Sequence, residues 1–147
     1  MKARHLLIWI LLAVWIAAAP GLQAKKRDEP DVVAVQHILI GFKKSIRGKE
    51  LERTKKEAQA LAEELLDRAR AGEEFDALVK EYTDERYPGI YRLTNFDAPL
   101  MQGAHERKGM VANFGQVAFS LEVGEVGLAK FHPANSPYGW HVIKRLE

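Results

Sequence analysis

The chain has 147 residues, no cysteine, five histidines, and 22 lysines and arginines against 20 aspartates and glutamates. Without cysteine there is no disulfide, no thiolate nucleophile and no lipid-modified cysteine, so a folded unit must be held by its apolar core. A formal charge of +2 makes no general case for nucleic-acid binding, and none is expected.

Lys2 and Arg4 open the chain, residues 6–19 form an unbroken apolar run, and Leu22-Gln23-Ala24 sets a small residue before Lys25. This is the layout of a secretory signal peptide. The run is shorter than the roughly 20 residues of a membrane-spanning helix. The expectation is a signal peptide over 1–24 and a periplasmic or secreted product, with membrane attachment only if the segment stays uncleaved. Lys2 and Arg4 are the only lysine and arginine in it, and it holds no acidic residue, so cleavage leaves a formally neutral chain. Residues 25–31 are charged, end in Pro30-Asp31 and read as a linker. The remainder, 32–147, is long enough for one core and is expected to be one domain.

Residues 32–42 are mostly apolar and predict a strand, interrupted by His37. Residues 43–53 form a polar loop in which Lys43, Lys44, Arg47, Lys49 and Arg53 crowd together. Ala58, Leu61, Ala62, Leu65, Leu66 and Ala69 then recur at helical spacing and make one apolar stripe. Thr54 and Glu57 have capping-box spacing, and Gly72 supplies the stop. Phe75, Leu78, Val79 and Tyr82 repeat the pattern over a shorter helix.

Residues 83–108 are irregular, with turn signals at Pro88-Gly89, Ala98-Pro99 and Gly103 and a short strand over 90–94. Asn113 with Gln116 predicts the cap of a third helix running to about Phe119. Two strands, 124–131 and 138–146, follow around the turn 132–137, and His141 interrupts the last. Helices with a small, mainly antiparallel sheet make an α+β domain.

The residues exclude the usual catalytic machinery: there is no Gly-rich phosphate loop and no Gly-x-Ser-x-Gly elbow. His37, His105, His132 and His141 contain no close pair of the kind that nucleates a zinc site, so no metal and no cofactor are expected. A histidine in an apolar run is usually a satisfied core residue, but here two apolar strands at opposite ends of one domain each carry one.

Together the motifs resemble the parvulin-type peptidyl-prolyl isomerases. Gln36-His37-Ile38-Leu39-Ile40 is similar to that family's opening strand, and Gly72-Glu73-Glu74-Phe75-Asp76-Ala77-Leu78 to its Gly-Glu-x-Phe-x-x-Leu segment. Tyr82-Thr83-Asp84-Glu85 resembles its Tyr-Ser/Thr-x-Cys/Asp turn. Met110, Phe114, Ala118-Phe119-Ser120-Leu121 and Gly124-Glu125-Val126 follow in the family's order, and Tyr138-Gly139-Trp140-His141-Val142-Ile143 resembles its closing strand.

The resemblance implies a four-stranded antiparallel sheet wrapped by three to four helices, and catalysis of rotation about X-Pro bonds. It implies that His37 and His141 sit side by side as a hydrogen-bonded brace, and that Glu85 stands at the catalytic Cys/Asp position. Met110 and Phe114 would grip the proline ring, with Phe119 and Tyr138 as further substrate contacts. The partners implied are proline-containing polypeptides, folded after export.

Two departures stand out. Pro88-Gly89-Ile90-Tyr91-Arg92-Leu93 replaces the family's Gly-Gly-Asp-Leu-Gly, and the stretch from there to Met110 is longer than usual. Ile90 and Leu93 are the candidates for the pocket's usual Leu. The altered 85–109 segment also motivates the competing expectation, a parvulin-fold chaperone or binding module with little isomerase activity.

Overall fold

The computed structural model describes residues 29–147, so the signal-peptide reading of 1–24 lies outside it. Its elements run β1 (Val32–Ile40), α1 (Lys55–Arg70), α2 (Phe75–Tyr82), β2 (Ile90–Thr94), β3 (His105–Glu106), a 3-10 turn (Arg107–Gly109), α3 (Ala112–Ser120), β4 (Val126–Ala129) and β5 (Trp140–Arg145). The strands form one sheet in the order β3-β2-β1-β5-β4. The class is α+β, as the strand and helix periodicities imply.

β1 is central, paired antiparallel with β2 on one side and β5 on the other. This is why its run is apolar on both faces, and eight of its nine residues are buried. Alternation along it sends Ile38 and Ile40 into a layer shared with Ala58, Ala62, Leu65, Phe75 and Leu78 of α1 and α2. Val33 and Val35 go to the other face, packed with Leu93, Phe114, Phe119 and Ile143 under α3.

The capping box forms as the sequence predicts: the Thr54 hydroxyl accepts from the Glu57 amide, and the Glu57 carboxylate accepts from the Thr54 amide. Gly72, just past the end of α1, adopts φ +95°. Gly139 is constrained differently, since a Cβ there would lie 2.1 Å from the Ile40 carbonyl oxygen. Only glycine lets the chain pass that close before turning into β5.

Three expectations need correction. The sheet has five strands, because β3 adds a two-residue parallel edge, pairing Leu93 with His105 and Thr94 with Glu106. The longer 95–104 segment makes this addition feasible by returning the chain alongside β2. Asn113 does not cap α3: Val111 holds that position without a side-chain bond, while the Asn113 amide donates to the Lys130 carbonyl. The last two strands are also shorter than their apolar runs, spanning 126–129 and 140–145.

Residues 29–31, the described end of the expected linker, are tied to the sheet edge. Arg107 ion-pairs with Glu29, and Asn95 donates to the Pro30 carbonyl (3.0 Å) while its amide donates to Asp31 (2.8 Å).

Candidate active site

The site grows from the face of β1 that turns toward α3. His37 lies opposite Ile143, and Leu39 opposite His141, so the two histidines are diagonal neighbours across an antiparallel pair. Both are buried, with ring centroids 5.4 Å apart. Phe114, one turn into α3, stands edge-on to both, at 5.0 Å from His37 and 5.3 Å from His141.

The expected hydrogen bond between the imidazoles is absent. Their rings meet in a tilted contact, and neither nitrogen of His141 has a hydrogen-bond partner. His37 instead bonds Glu85, Nε2 to Oε2 at 2.7 Å. The brace is a histidine–glutamate pair with the second histidine packed against it.

Glu85 reaches His37 because the turn after α2 is sewn onto the end of β1. The Asp84 amide donates to the Leu39 carbonyl (2.8 Å), and the Leu39 amide donates to the Thr83 hydroxyl (3.2 Å). The Asp84 carboxylate accepts from the Gly41 amide (2.8 Å) and pairs with Arg53, locking the start and end of the basic loop to the same turn. Glu85 then projects over the sheet with its side chain 36% exposed. A second partner, Tyr91 on β2, donates its hydroxyl to Oε1 at 3.0 Å.

The electrostatics follow from these contacts. The hydrogen bond from His37 holds Glu85 below the ordinary carboxylate range, and Tyr91 adds to this, against the opposing effect of partial burial. Tyr91 is pushed up to about 12, by burial first and then by the neighbouring carboxylate. His141 is pushed down to about 3, chiefly by burial and then by His37, with Glu85 opposing. At neutral pH Glu85 is therefore an acceptor only, which requires both Tyr91 O–H and His37 Nε2–H to donate to it.

The remaining candidates divide into two groups. Met110 is half-buried in the same apolar cluster as Phe114, in the extended segment just before α3. Phe119 is buried further along α3 beneath the Arg107 guanidinium, 4.5 Å above its ring. It is a wall of the core, with no ring contact to either histidine. Tyr138 is exposed and stands across an open cleft of about 370 Å³ lined also by Leu39, Ile46, Lys49, Asp84, Glu85 and Arg86. Glu85 is the group that belongs both to this cleft and to the histidine pocket.

Of the two residues expected to replace the pocket Leu, Ile90 is exposed and Leu93 is buried in the core. Tyr91, next to Ile90, occupies the pocket wall: it stacks on His37 (5.3 Å, 29° between planes) and meets Phe114 edge-on at 6.1 Å. Tyr91 is the functional candidate that sequence reasoning missed. Its place comes from the β2 register, Val35 opposite Tyr91, which sets it diagonal to His37 on the same face and which no local sequence pattern encodes.

Among the described residues, no three His, Asp or Glu side chains converge as a metal site would require. The arrangement offers an apolar aromatic wall, a buried imidazole pair and one oriented carboxylate.

A family model for the PPIC-type peptidyl-prolyl isomerase (PPIase) domain matches residues 22–147. The chain belongs to that family. Its PPIC-type domain is similar to part of the chaperone SurA of Pseudomonas fluorescens, 34% identical over 116 residues, covering 79% of this chain and 23% of that protein. It is likewise similar to the foldase protein PrsA of Halalkalibacterium halodurans, 36% identical over 119 residues, covering 81% of this chain and 28% of that protein. The chain thus spans about a quarter of the length of these relatives.

In three dimensions the PPIC-type domain resembles the peptidyl-prolyl isomerase ESS1 of Candida albicans, with a TM-score of 0.59 and 23% identity, covering 80% of this chain and 63% of that one. It also resembles TbPIN1, with a TM-score of 0.58 and 18% identity over 80% of this chain and 98% of that one. At these identities the likeness establishes the parvulin fold.

Proposed function

We propose that this PPIC-type domain is a cofactor-independent peptidyl-prolyl cis-trans isomerase acting on X-Pro bonds of exported polypeptides and so assisting their folding. The observation that carries the reading is the cluster of buried His37, His141 and Phe114 with half-buried Tyr91, in which His37 and Tyr91 both bond the Glu85 carboxylate.

Rotation about an X-Pro bond crosses a barrier of about 18–20 kcal/mol and takes roughly 10–100 s uncatalysed. No bond breaks, so catalysis needs only tighter binding of the twisted amide than of either planar isomer. Twisting removes amide resonance, lowers the negative charge on the carbonyl oxygen and returns a lone pair to the prolyl nitrogen. An apolar wall of Phe114 and Met110 suits the proline ring and excludes the water that favours the more polar planar amide. The ionised Glu85, at the rim of the cleft, opposes charge build-up on the planar carbonyl. His141, held neutral by burial, shapes the pocket and is not an imidazolium acid near pH 7.

The test is a protease-free isomerisation assay over a panel of X-Pro peptides. Acceleration well above the uncatalysed rate supports the proposal. Binding without acceleration selects the second reading, a chaperone module, which similarity to the chaperone SurA favours.

Export, to the periplasm or outside the cell, rests on the signal-like pattern of residues 1–24. N-terminal sequencing of the protein from its host should find Lys25 first. Recovery of the intact chain in membranes would show that the segment remains as an anchor.

A further inference from the structure

We propose that Tyr91 is a positioning residue of the isomerase site, tethering the Glu85 carboxylate against His37, and that the extra edge strand β3 supports it from behind. The proposal rests on the isomerase reading for its kinetic consequence, while the tether itself is measurable without turnover.

Three observations converge on it. The two Glu85 oxygens are divided between partners, Oε2 to His37 at 2.7 Å and Oε1 to the Tyr91 hydroxyl at 3.0 Å. The Tyr91 ring lies along the His37 imidazole, so one side chain fixes both members of the pair. The far side of that ring meets His105 of β3 at 5.4 Å, which joins the longer 95–106 stretch to the site through a single aromatic contact.

The chemistry explains why a tyrosine stands there. A glutamate has one more methylene than the aspartate of related turns, and held by one hydrogen bond it could pivot about that bond. A second, charge-assisted bond from a rigid phenol removes the pivot. A leucine would supply the wall and no donor. The length of Glu85 and the hydroxyl of Tyr91 are therefore matched to each other.

The titratable groups facing Glu85 are His37 on β1, Tyr91 on β2, His141 on β5, and Lys49, Asp84 and Arg86 around the cleft. Of these, Tyr91 can lose its hydroxyl while keeping its ring. Tyr91→Phe is therefore the informative change, made in the full chain and compared at equal melting temperature.

We expect kcat/KM to fall about tenfold, the scale of one hydrogen bond to a charged group, with most of the loss in kcat. The Tyr91 hydroxyl favours the ionised carboxylate, so its loss should move Glu85 titration, and the acid limb of the rate, to higher pH. In a Glu85→Gln background the same change should add little, since the two residues act as one unit. Adding back a hydroxyl-free wall with Tyr91→Leu should not restore activity.

Carboxyl-carbon NMR of Glu85 reads the tether directly. An unchanged Glu85 titration in Tyr91→Phe overturns the proposal, as do independent, multiplying effects of the two substitutions. If the wild-type chain accelerates no X-Pro peptide, the isomerase reading fails and the NMR titration alone still decides the tether. His105→Ala tests the support from β3: a shifted Glu85 resonance is expected, and an unchanged one would detach β3 from the site.

Discussion

Neighbouring residues of β1 enter two different environments. Ile38 and Ile40 face a layer closed by the 16 residues of α1 and the eight of α2, with Trp140 and Val142 beside them. His37 and Leu39 face α3, whose nine residues span about 13 Å. That helix covers Val33, Val35 and Ile143 and leaves the Leu39 end of the strand to the cleft. One face is all core, while the other is core at one end and site at the other. Among the described residues, the buried side-chain nitrogens without hydrogen-bond partners belong to His37 and His141, both on the second face. Each such group costs about 1–3 kcal/mol if unsatisfied, so stability and site chemistry compete on one face only.

The sharpest way to break this comparison is to truncate one large side chain from each layer. Leu65→Ala on the α1 side and Phe114→Ala on the α3 side should each lose about 2–5 kcal/mol in urea melts. Activity per folded molecule should then separate them, nearly retained for Leu65→Ala and down more than tenfold for Phe114→Ala. Full activity in folded Phe114→Ala would put the proline pocket elsewhere.

A second test uses acid. Native His141 resists protonation until about pH 3, whereas the unfolded histidine titrates near 6.5. Between these values the unfolded state binds the extra proton, so stability falls as pH falls, by up to about 1.4 kcal/mol per unit. Glu85 works in the same direction, its lowered pKa giving stability that is lost only as pH drops below the ordinary carboxylate value of 4.5. Melts between pH 7 and 5 lie above the carboxylate range, and a His141 variant picks out that residue's share of the slope. His141→Leu should flatten the slope there and lower activity; an unchanged slope would mean that His141 is not the buried neutral group described.

The smallest expected effect concerns the rim. The basic loop crowds the cleft mouth, but Lys43 is exposed and directed toward Glu52, while Lys49 and Arg86 line the cleft itself. Glu-Pro peptides should turn over faster than Ala-Pro, and Ala-Pro faster than Lys-Pro, at low salt. Exposed pairs are worth about 0.2–1 kcal/mol, so the spread should be under about tenfold and fade with ionic strength. Lys49→Ala with Arg86→Ala should abolish it, and equal rates for all three peptides at low salt would eliminate the idea.

What was legible in the sequence follows the same division. α1 and α2 could be read directly, because an apolar stripe, a Thr54–Glu57 box and a Gly72 stop are local signals. β1 and β5 were legible as apolar runs, and their histidines stood out as polar interruptions. The cap of α3 was misread because the Asn113 amide goes to Lys130, seventeen residues away, a competition no local pattern encodes. The parallel strand β3 is two residues long and exists through its pairing alone. Tyr91 was hidden for a similar reason. Its bond to Glu85 and its stack on His37 depend on cross-strand register and on a turn sewn to β1 by backbone bonds.

The ends of the described chain carry a last consequence. Glu29 is clasped by Arg107, and the Glu147 amide donates to the Ala34 carbonyl, so both lie near the start of β1. The cleft is reached at Leu39, seven residues and about 23 Å further along that strand. Entry and exit of the polypeptide therefore share one pole of the molecule, and the substrate mouth occupies the other. Such a body behaves as a socketed tool, held at the pole where its two described ends meet and open at the other.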